Sequence, residues 1–187
     1  MDFDLVAQRL AGLARRVSNS DGLRPAAVLV PLFLKDNAPH LLMVKRSGSV
    51  EHHKNQIAFP GGICEPDDQG PEDTARREAE EEIGLQREHA RVLGLSHDTE
   101  TITGFRITPV VAHIPWPYDF QLCPAEVEYL IEVPWRLFGN PAAHRSEQVE
   151  AEGRAYRVDF YQFGEHLIWG ATARITRQLY ELVELPG

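Results

Sequence analysis

Apolar residues recur at two different periods along this chain, and the switches between them outline its elements. Phe3, Val6, Leu10, Leu13 and Val17 stand three or four apart, the repeat of an amphipathic helix on the outside of a domain. Asp21, Gly22 and Pro25 mark a turn, after which Ala26 to Leu34 is almost continuously apolar and reads as a buried strand. The turn Asp36-Asn37-Ala38-Pro39 joins it to a strand over His40 to Arg46, so the pair predicts a hairpin. Ser47 to Gln69 reads mostly as loop, broken by Ile57-Ala58-Phe59 and by the turn Pro60-Gly61-Gly62.

The next helix has strong boundary signals. Gly70 precedes it, and Pro71 takes the first position, where a missing N–H costs nothing. Glu72 and Asp73 fill the first turn, where the helix dipole favours acids, and Gly84 suits the left-handed residue that ends a helix. Arg91 to Ser96 and Phe105 to Ile114 read as strands joined by the polar segment His97 to Gly104. Pro115-Trp116-Pro117 interrupts the pattern, Val127 to Val133 and Arg154 to Tyr161 supply two more strands, and a closing helix runs from about Ala171 to Val183. Helix, strands, helix, strands, helix predicts an α/β fold in which a mixed β-sheet lies between helices. No repeat or linker divides the chain, so residues 1–187 are expected to form a single domain. There is no regular βαβ alternation, and Gly61-Gly62 is not a GxGxxG fingerprint, which argues against a dinucleotide-binding Rossmann unit.

Composition narrows the function. At 43% hydrophobic residues the chain can bury a sizeable core, and a net charge of −9 argues against a protein that grips nucleic-acid backbones. Small phosphorylated substrates stay open, because carboxylates bind divalent metals that in turn bind phosphate. Cys64 and Cys123 lie far apart with no metal-ligand spacing, which predicts reduced thiols and neither a disulfide framework nor a zinc site. Met1 to Asp4 carries two acids where a signal peptide needs a basic start, and no apolar run reaches the ~18 to 20 residues of a membrane span. A cytoplasmic protein without membrane or nucleic-acid partners is expected.

The helix after Pro71 carries the candidate chemistry. At about 100° per residue, taking Ala75 as origin puts Ala79 at about 40° and Ile83 at about 80°, while Glu78, Glu81 and Glu82 fall at about 300°, 240° and 340°. Three carboxylates thus share one face beside a narrow apolar stripe whose small alanines let the helix lie close to a sheet. Like charges at these spacings repel, so a cation between them is a natural explanation, and all-oxygen ligation suits Mg²⁺ or Mn²⁺. Taken alone, the acidic run reads as a solvated face. Gly61-Gly62 upstream shifts that reading, because glycine lets backbone approach a metal or phosphate closely.

The string Arg77-Glu78-Ala79-Glu80-Glu81-Glu82-Ile83-Gly84-Leu85 resembles the core of the Nudix box, and Gly62 resembles its leading glycine. Asp68 stands where the box has glutamate, and the loop from there to Arg77 is one residue longer than usual, so the acid left to contact Arg77 is a short one. Upstream, Leu41, Leu42, Arg46, Ser47, His53, Gln56, Phe59, Pro60, Gly61 and Gly62 resemble the signature of the coenzyme A pyrophosphatase branch. Val44, Glu51 and Asn55 depart from it, and Glu51 reverses the charge of an expected arginine. Thr103 to Val111, Glu126-Val127 and Ile168 to Ala173 also look like that branch.

The resemblance implies a Nudix-type α/β/α sandwich and metal-dependent hydrolysis of a nucleoside-diphosphate linkage. Coenzyme A or an acyl derivative is the first substrate to expect, giving 4′-phosphopantetheine and adenosine 3′,5′-bisphosphate. ADP-ribose, a dinucleotide or a nucleoside triphosphate are the alternatives. It further implies Mg²⁺ or Mn²⁺ held by Glu78, Glu81 and Glu82 with the backbone of Gly62, Arg77 orienting the carboxylates, and Glu78 or Glu126 as general base. Arg46, His53, Gly61 and Arg106, with Lys54, are the groups expected to meet substrate. Phe59, Trp116, Tyr118 and Trp169 are candidates for stacking on adenine, though such aromatics more often belong to core or rim. Neighbouring His52 and His53 do not share a face, so a dihistidine metal site is not expected. Such an enzyme works as a monomer or homodimer. A reading from another class, a Nudix-like module that senses a nucleotide without cleaving it, would be marked by loss of the box carboxylates, and all three are present.

Overall fold

The computed structural model describes residues 1–48, 56–151 and 154–185. Its centre is the hairpin of β1 (Arg24–Lys35) and β2 (Ala38–Arg46). Asp36 and Asn37, at φ 51° and 60°, form the two-residue left-handed turn whose twist matches paired strands. Pairing closes directly on that turn, Lys35 opposite Ala38, so β2 starts two residues earlier than His40.

Short β3 (Ile57–Ala58) and β4 (Gly61–Ile63) follow, then α2 (Pro71–Ile83), β5 (Arg91–Leu95), β6 (Thr99–Glu100), β7 (Phe105–His113) and β8 (Val127–Pro134). The sheet runs β3-β2-β1-β7-β5, with β4 paired to β1, β6 to β7 and β8 to β2. β1 and β7 are parallel and the other pairs antiparallel, so the sheet is mixed as expected.

Alternation along the central strands sorts the core into two layers. Ala27, Leu29, Phe33, Leu42 and Val44 pack with Ala75, Ala79 and Ile83 of α2. Val30, Leu32, Leu41 and Met43 pack on the other face with Val6 and Leu10 of α1 (Phe3–Ala11) and with Ala173, Ile175 and Leu179 of α3 (Gly170–Glu184). Helices therefore cover both faces of the sheet, the α/β/α arrangement.

Two expectations need correction. The first helix ends at Ala11 rather than Val17. Beyond it the chain extends along residues 96–98: Asp98 N–H donates to Arg16 O at 3.0 Å, Arg15 Nε donates to Ser96 O at 2.8 Å, and Arg15 pairs with Asp98. Those backbone partners outbid further helical turns, and Val17 is left exposed. The strand over Arg154 to Tyr161 is longer, Arg154–Phe163 (β10), and belongs to a second, three-stranded sheet with β9 (His144–Ala151) and β11 (His166–Trp169). β9 has few apolar residues, so hydrophobic pattern does not reveal it. Among the described residues no helix is long and apolar enough to cross a membrane, and Cys64 and Cys123 are free thiols.

Candidate active site

The glycine pair lies where backbone and carboxylates meet. β4 pairs with the first half of β1, Gly61 opposite Val28 and Gly62 opposite Ala27. A Cβ on Gly61 would stand 2.4 Å from Ala27 O, and one on Gly62 would stand 2.4 Å from Glu78 Oε1. An added side chain would meet fixed backbone at Gly61 and, at Gly62, the Glu78 carboxylate itself. Gly61 N–H in turn donates to Glu82 Oε2 at 3.3 Å.

Fully buried Ala75 and Ala79 bring α2 down onto β1, and Glu82, at nearly the same angle as Ala75 on the helical wheel, goes down with them to 1% exposure. Burial pushes its carboxyl up to about 8; Arg46 opposes this, the charges of Glu126 and Glu78 add to it, and the Gly61 N–H lowers it. Burial also raises Glu78, against the nearby Arg77 and with help from Glu81 and Glu126. Glu81 points outward.

Arg77 organises this row. Its Nε and Nη2 meet Asp68 Oδ1 and Oδ2 at 3.0 and 3.1 Å, a two-pronged pair. Nη1 donates to Glu78 Oε1 at 2.9 Å and Glu81 Oε2 at 3.2 Å, and Nη2 also to Ile63 O at 3.1 Å. The shorter acid on the longer loop thus reaches the arginine. Thr74 Oγ1 and Glu65 N–H, each 2.8 Å from Asp68 Oδ2, hold it in place, and Arg77 keeps its carboxyl well below the usual carboxylate range.

Glu126 is brought in by the end of α2. Gly84 takes the left-handed conformation at φ 68°, and the last carbonyls of the helix are capped from outside: Gln121 N–H donates to Ile83 O at 3.0 Å and Cys123 N–H to Glu82 O at 2.9 Å. Glu126 N–H then donates to Cys123 O at 3.0 Å, and Ser47 N–H to Glu126 O at 2.8 Å. Its half-buried carboxylate raises both Glu78 and Glu82. Among the described residues it makes no hydrogen bond or ion pair.

Arg46 ends β2 at a register break, where Lys45 faces Tyr129 but Arg46 faces Val127. Its Nη1 lies 3.2 Å from Glu82 Oε1, and its buried Nε has no partner among the described residues. Arg106 sits apart from the carboxylates, donating to Ser18 O at 3.1 Å. His53, with His52, Lys54, Glu51 and Asn55, lies outside the described residues.

Of the aromatic candidates, Phe59 is in the core, Trp116 stacks on Phe33 with ring centroids 4.2 Å apart, and Tyr118 accepts the Gln86 N–H at 3.1 Å. Trp169 is partly exposed and lies over Phe160. None of these contacts involves the carboxylate row. Sequence reasoning missed the pairing of Arg46 with Glu82 and the backbone clasp from 121–123. The latter runs through N–H and C=O groups common to every residue, so no side-chain signal marks it.

Among the described residues, no three His, Cys, Asp or Glu side chains are grouped to hold a metal ion as they stand. The physical reason is local: Arg77 lies between Glu78 and Glu81, and Arg46 lies on Glu82. The donor set nevertheless suits a hard divalent cation, since it is all carboxylate oxygen and two of its members are raised by burial and mutual repulsion.

Comparison with known proteins defines the class. Residues 23–156 match the NUDIX domain. The chain is 38% identical over 166 residues to an uncharacterized Nudix hydrolase, NudL, of Photorhabdus laumondii, a match covering 89% of this chain and 88% of that one. It is 35% identical over 162 residues to NudL of Yersinia pestis, covering 87% and 81%. Among solved structures, the Nudix hydrolase RenU of M. smegmatis aligns with a TM-score of 0.52 at 25% identity over 61% of this chain and 72% of its own. DR0079 of Deinococcus radiodurans shares the fold, with a TM-score of 0.57 at 14% identity over 88% and 90%. The chain belongs to the Nudix family and is a pyrophosphohydrolase of that family. Nudix hydrolases generally use divalent metal ions.

Proposed function

We propose that this enzyme hydrolyses a nucleoside-diphosphate linkage with Mg²⁺ or Mn²⁺, and that coenzyme A or an acyl-coenzyme A is its substrate. The observation that carries the reaction class is the packing of Gly61-Gly62 against half-buried Glu78 and buried Glu82, which places bare backbone beside both carboxylates. Glu78, Glu81 and Glu82 with the backbone of Gly62 would hold the metal, which when bound neutralises the diphosphate and lowers the pKa of a water. Arg77, clamped by Asp68, fixes the direction of Glu78 and Glu81. Glu126 is the better placed base, because Glu78 is engaged by Arg77 whereas the Glu126 carboxylate makes no hydrogen bond among the described residues. It takes a proton as the water oxygen bonds to phosphorus and the bridging P–O bond breaks. Beside Arg77, Arg46 is the described cation that touches these carboxylates, and His53 is assigned to substrate from its place in the sequence signature.

The substrate rests on that signature, Arg46 to Gly62, against which Glu51 stands as a reversed charge. ADP-ribose, dinucleotides and nucleoside triphosphates are the competing substrates. Residues 1–187 act as one Nudix domain, monomeric or homodimeric, in the cytoplasm, where Cys64 and Cys123 stay reduced. The test is a screen of coenzyme A, ADP-ribose, NADH and nucleoside triphosphates with Mg²⁺ or Mn²⁺, identifying products by mass. 4′-Phosphopantetheine and adenosine 3′,5′-bisphosphate are expected; cleavage of another diphosphate with coenzyme A untouched overturns the substrate and points first to Glu51.

A further inference from the structure

Arg46 makes a contact at odds with a residue that only meets substrate. Its guanidinium spends Nη1 on Glu82, a proposed metal ligand, while its Nε is buried and has no partner among the described residues. A guanidinium carries five N–H donors in a rigid fork, so an arginine seated permanently here would be expected to satisfy that Nε. The register break between Lys45 and Arg46 is a device that re-aims a side chain at the end of a strand. Glu82, 1% exposed, has only one other described donor, Gly61 N–H at 3.3 Å. Among the described residues, Arg46 is the one cation paired with it.

We infer that Arg46 is an exchangeable counter-ion: it holds Glu82 in the metal-free enzyme and is released to the substrate diphosphate when that carboxylate takes a divalent cation. This rests on the assignment of Glu82 as a metal ligand. Three observations support it together. Arg46 occupies Glu82 Oε1 and the Gly61 N–H occupies Oε2, so a cation taking this carboxylate would meet the guanidinium on it. Among the described residues the fork is under-used where it now sits. Arg46 is also the described arginine nearest the carboxylate row that Asp68 does not clamp; Arg77, held on both prongs, stays in place. Exchange couples the two ligands: metal binding creates the anion site, and a bound diphosphate keeps the arginine from returning to Glu82. By linkage each ligand strengthens the other equally.

The test measures Mn²⁺ binding without nucleotide, by electron paramagnetic resonance of the free ion, in the wild type, Arg46→Gln, Arg46→Lys and Glu82→Gln, with thermal melts as a check of folding. Exchange predicts effects of opposite sign. Arg46→Gln binds Mn²⁺ about fivefold or more tightly, having no side-chain cation to displace, yet its KM for the cleaved diphosphate rises by a similar factor. Arg46→Lys, which keeps the charge but not the fork, lies between. Weaker or unchanged Mn²⁺ binding in Arg46→Gln, with wild-type binding intact and lost in Glu82→Gln, makes Arg46 a fixed positioning partner and overturns the exchange. Mn²⁺ binding in Glu82→Gln equal to wild type instead removes the metal assignment on which the inference depends. If Arg46→Gln fails to fold, Arg46→Lys decides by the same opposite-sign criterion.

Discussion

Two adjacent glycines face different obstacles. At Gly61 an added Cβ meets backbone, Ala27 O at 2.4 Å and Val28 Cα at 2.6 Å, which cannot move without parting β4 from β1. At Gly62 it meets the end of the Glu78 side chain, which can swing aside. Gly61→Ala is therefore expected to lower stability by ~1–3 kcal/mol, in the range of overpacked sites. Gly62→Ala should melt near the wild type while kcat falls about 100-fold or more, the scale on which misplaced catalytic groups cost rate. Melting curves and steady-state kinetics on the pair check this; equal loss of stability in both would refute the distinction. Gly62 was legible from the sequence through the box. The cause at Gly61 was not, because its obstacle is the carbonyl of a residue far away in the chain.

At the scale of elements, α2 works because three features of its sequence agree. Ala75 and Ala79 allow close approach, Glu82 shares their stripe, and Gly84 ends the helix so that 121–123 can cap it. The helix boundaries and the carboxylate face were readable, since they depend on local spacing. The clamp from Asp68 was readable only as a candidate, because its success depends on how a lengthened loop folds back. Asp68→Asn removes a charged partner from a mostly buried pair, and is expected to cost ~1–3 kcal/mol. Because Arg77 then loses its anchor, turnover should fall more than substrate binding. A wild-type kcat in Asp68→Asn would show that Arg77 holds the row without it.

At the scale of the whole molecule, the second sheet is joined to the sandwich by Tyr161 and Ile168, buried in its core, and by polar groups. Asp159 on β10 accepts from Ser146 Oγ at 2.6 Å, pairs with His144 at 2.9 Å across to β9, and accepts from Arg177 of α3 at 2.9 Å. Burial alone would raise its carboxyl, but the Ser146, His144 and Arg177 contacts outweigh burial and lower it. A carboxyl lowered on folding adds stability above its unfolded value of about 3.9, and that stability disappears as pH falls through the folded value. Asp159→Asn should therefore be less stable than wild type by ~1–3 kcal/mol near neutral pH, with the two melting curves converging below about pH 4. A gap that persists unchanged in acid would mean that packing, not charge, makes the difference. The three-layer arrangement was visible in the order of periodic segments. The second sheet was not, because β9 is exposed and polar and owes its place to pairing with β10. Likewise, the end of α1 is decided by partners at 96–98, far along the chain.

The acidic balance of −9 now has a local meaning. Glu78, Glu82 and Glu126 converge beside Gly61-Gly62 and the end of β2, and we propose that this cluster, with a divalent metal, cleaves a diphosphate. The most direct test is Mg²⁺-dependent turnover of the cleaved substrate by Glu78→Gln beside the wild type, with matching melting curves showing that both are folded. Turnover in Glu78→Gln should fall at least about 1,000-fold, through loss of both a metal-binding charge and orientation. Unchanged Mg²⁺-dependent activity in folded Glu78→Gln would contradict it.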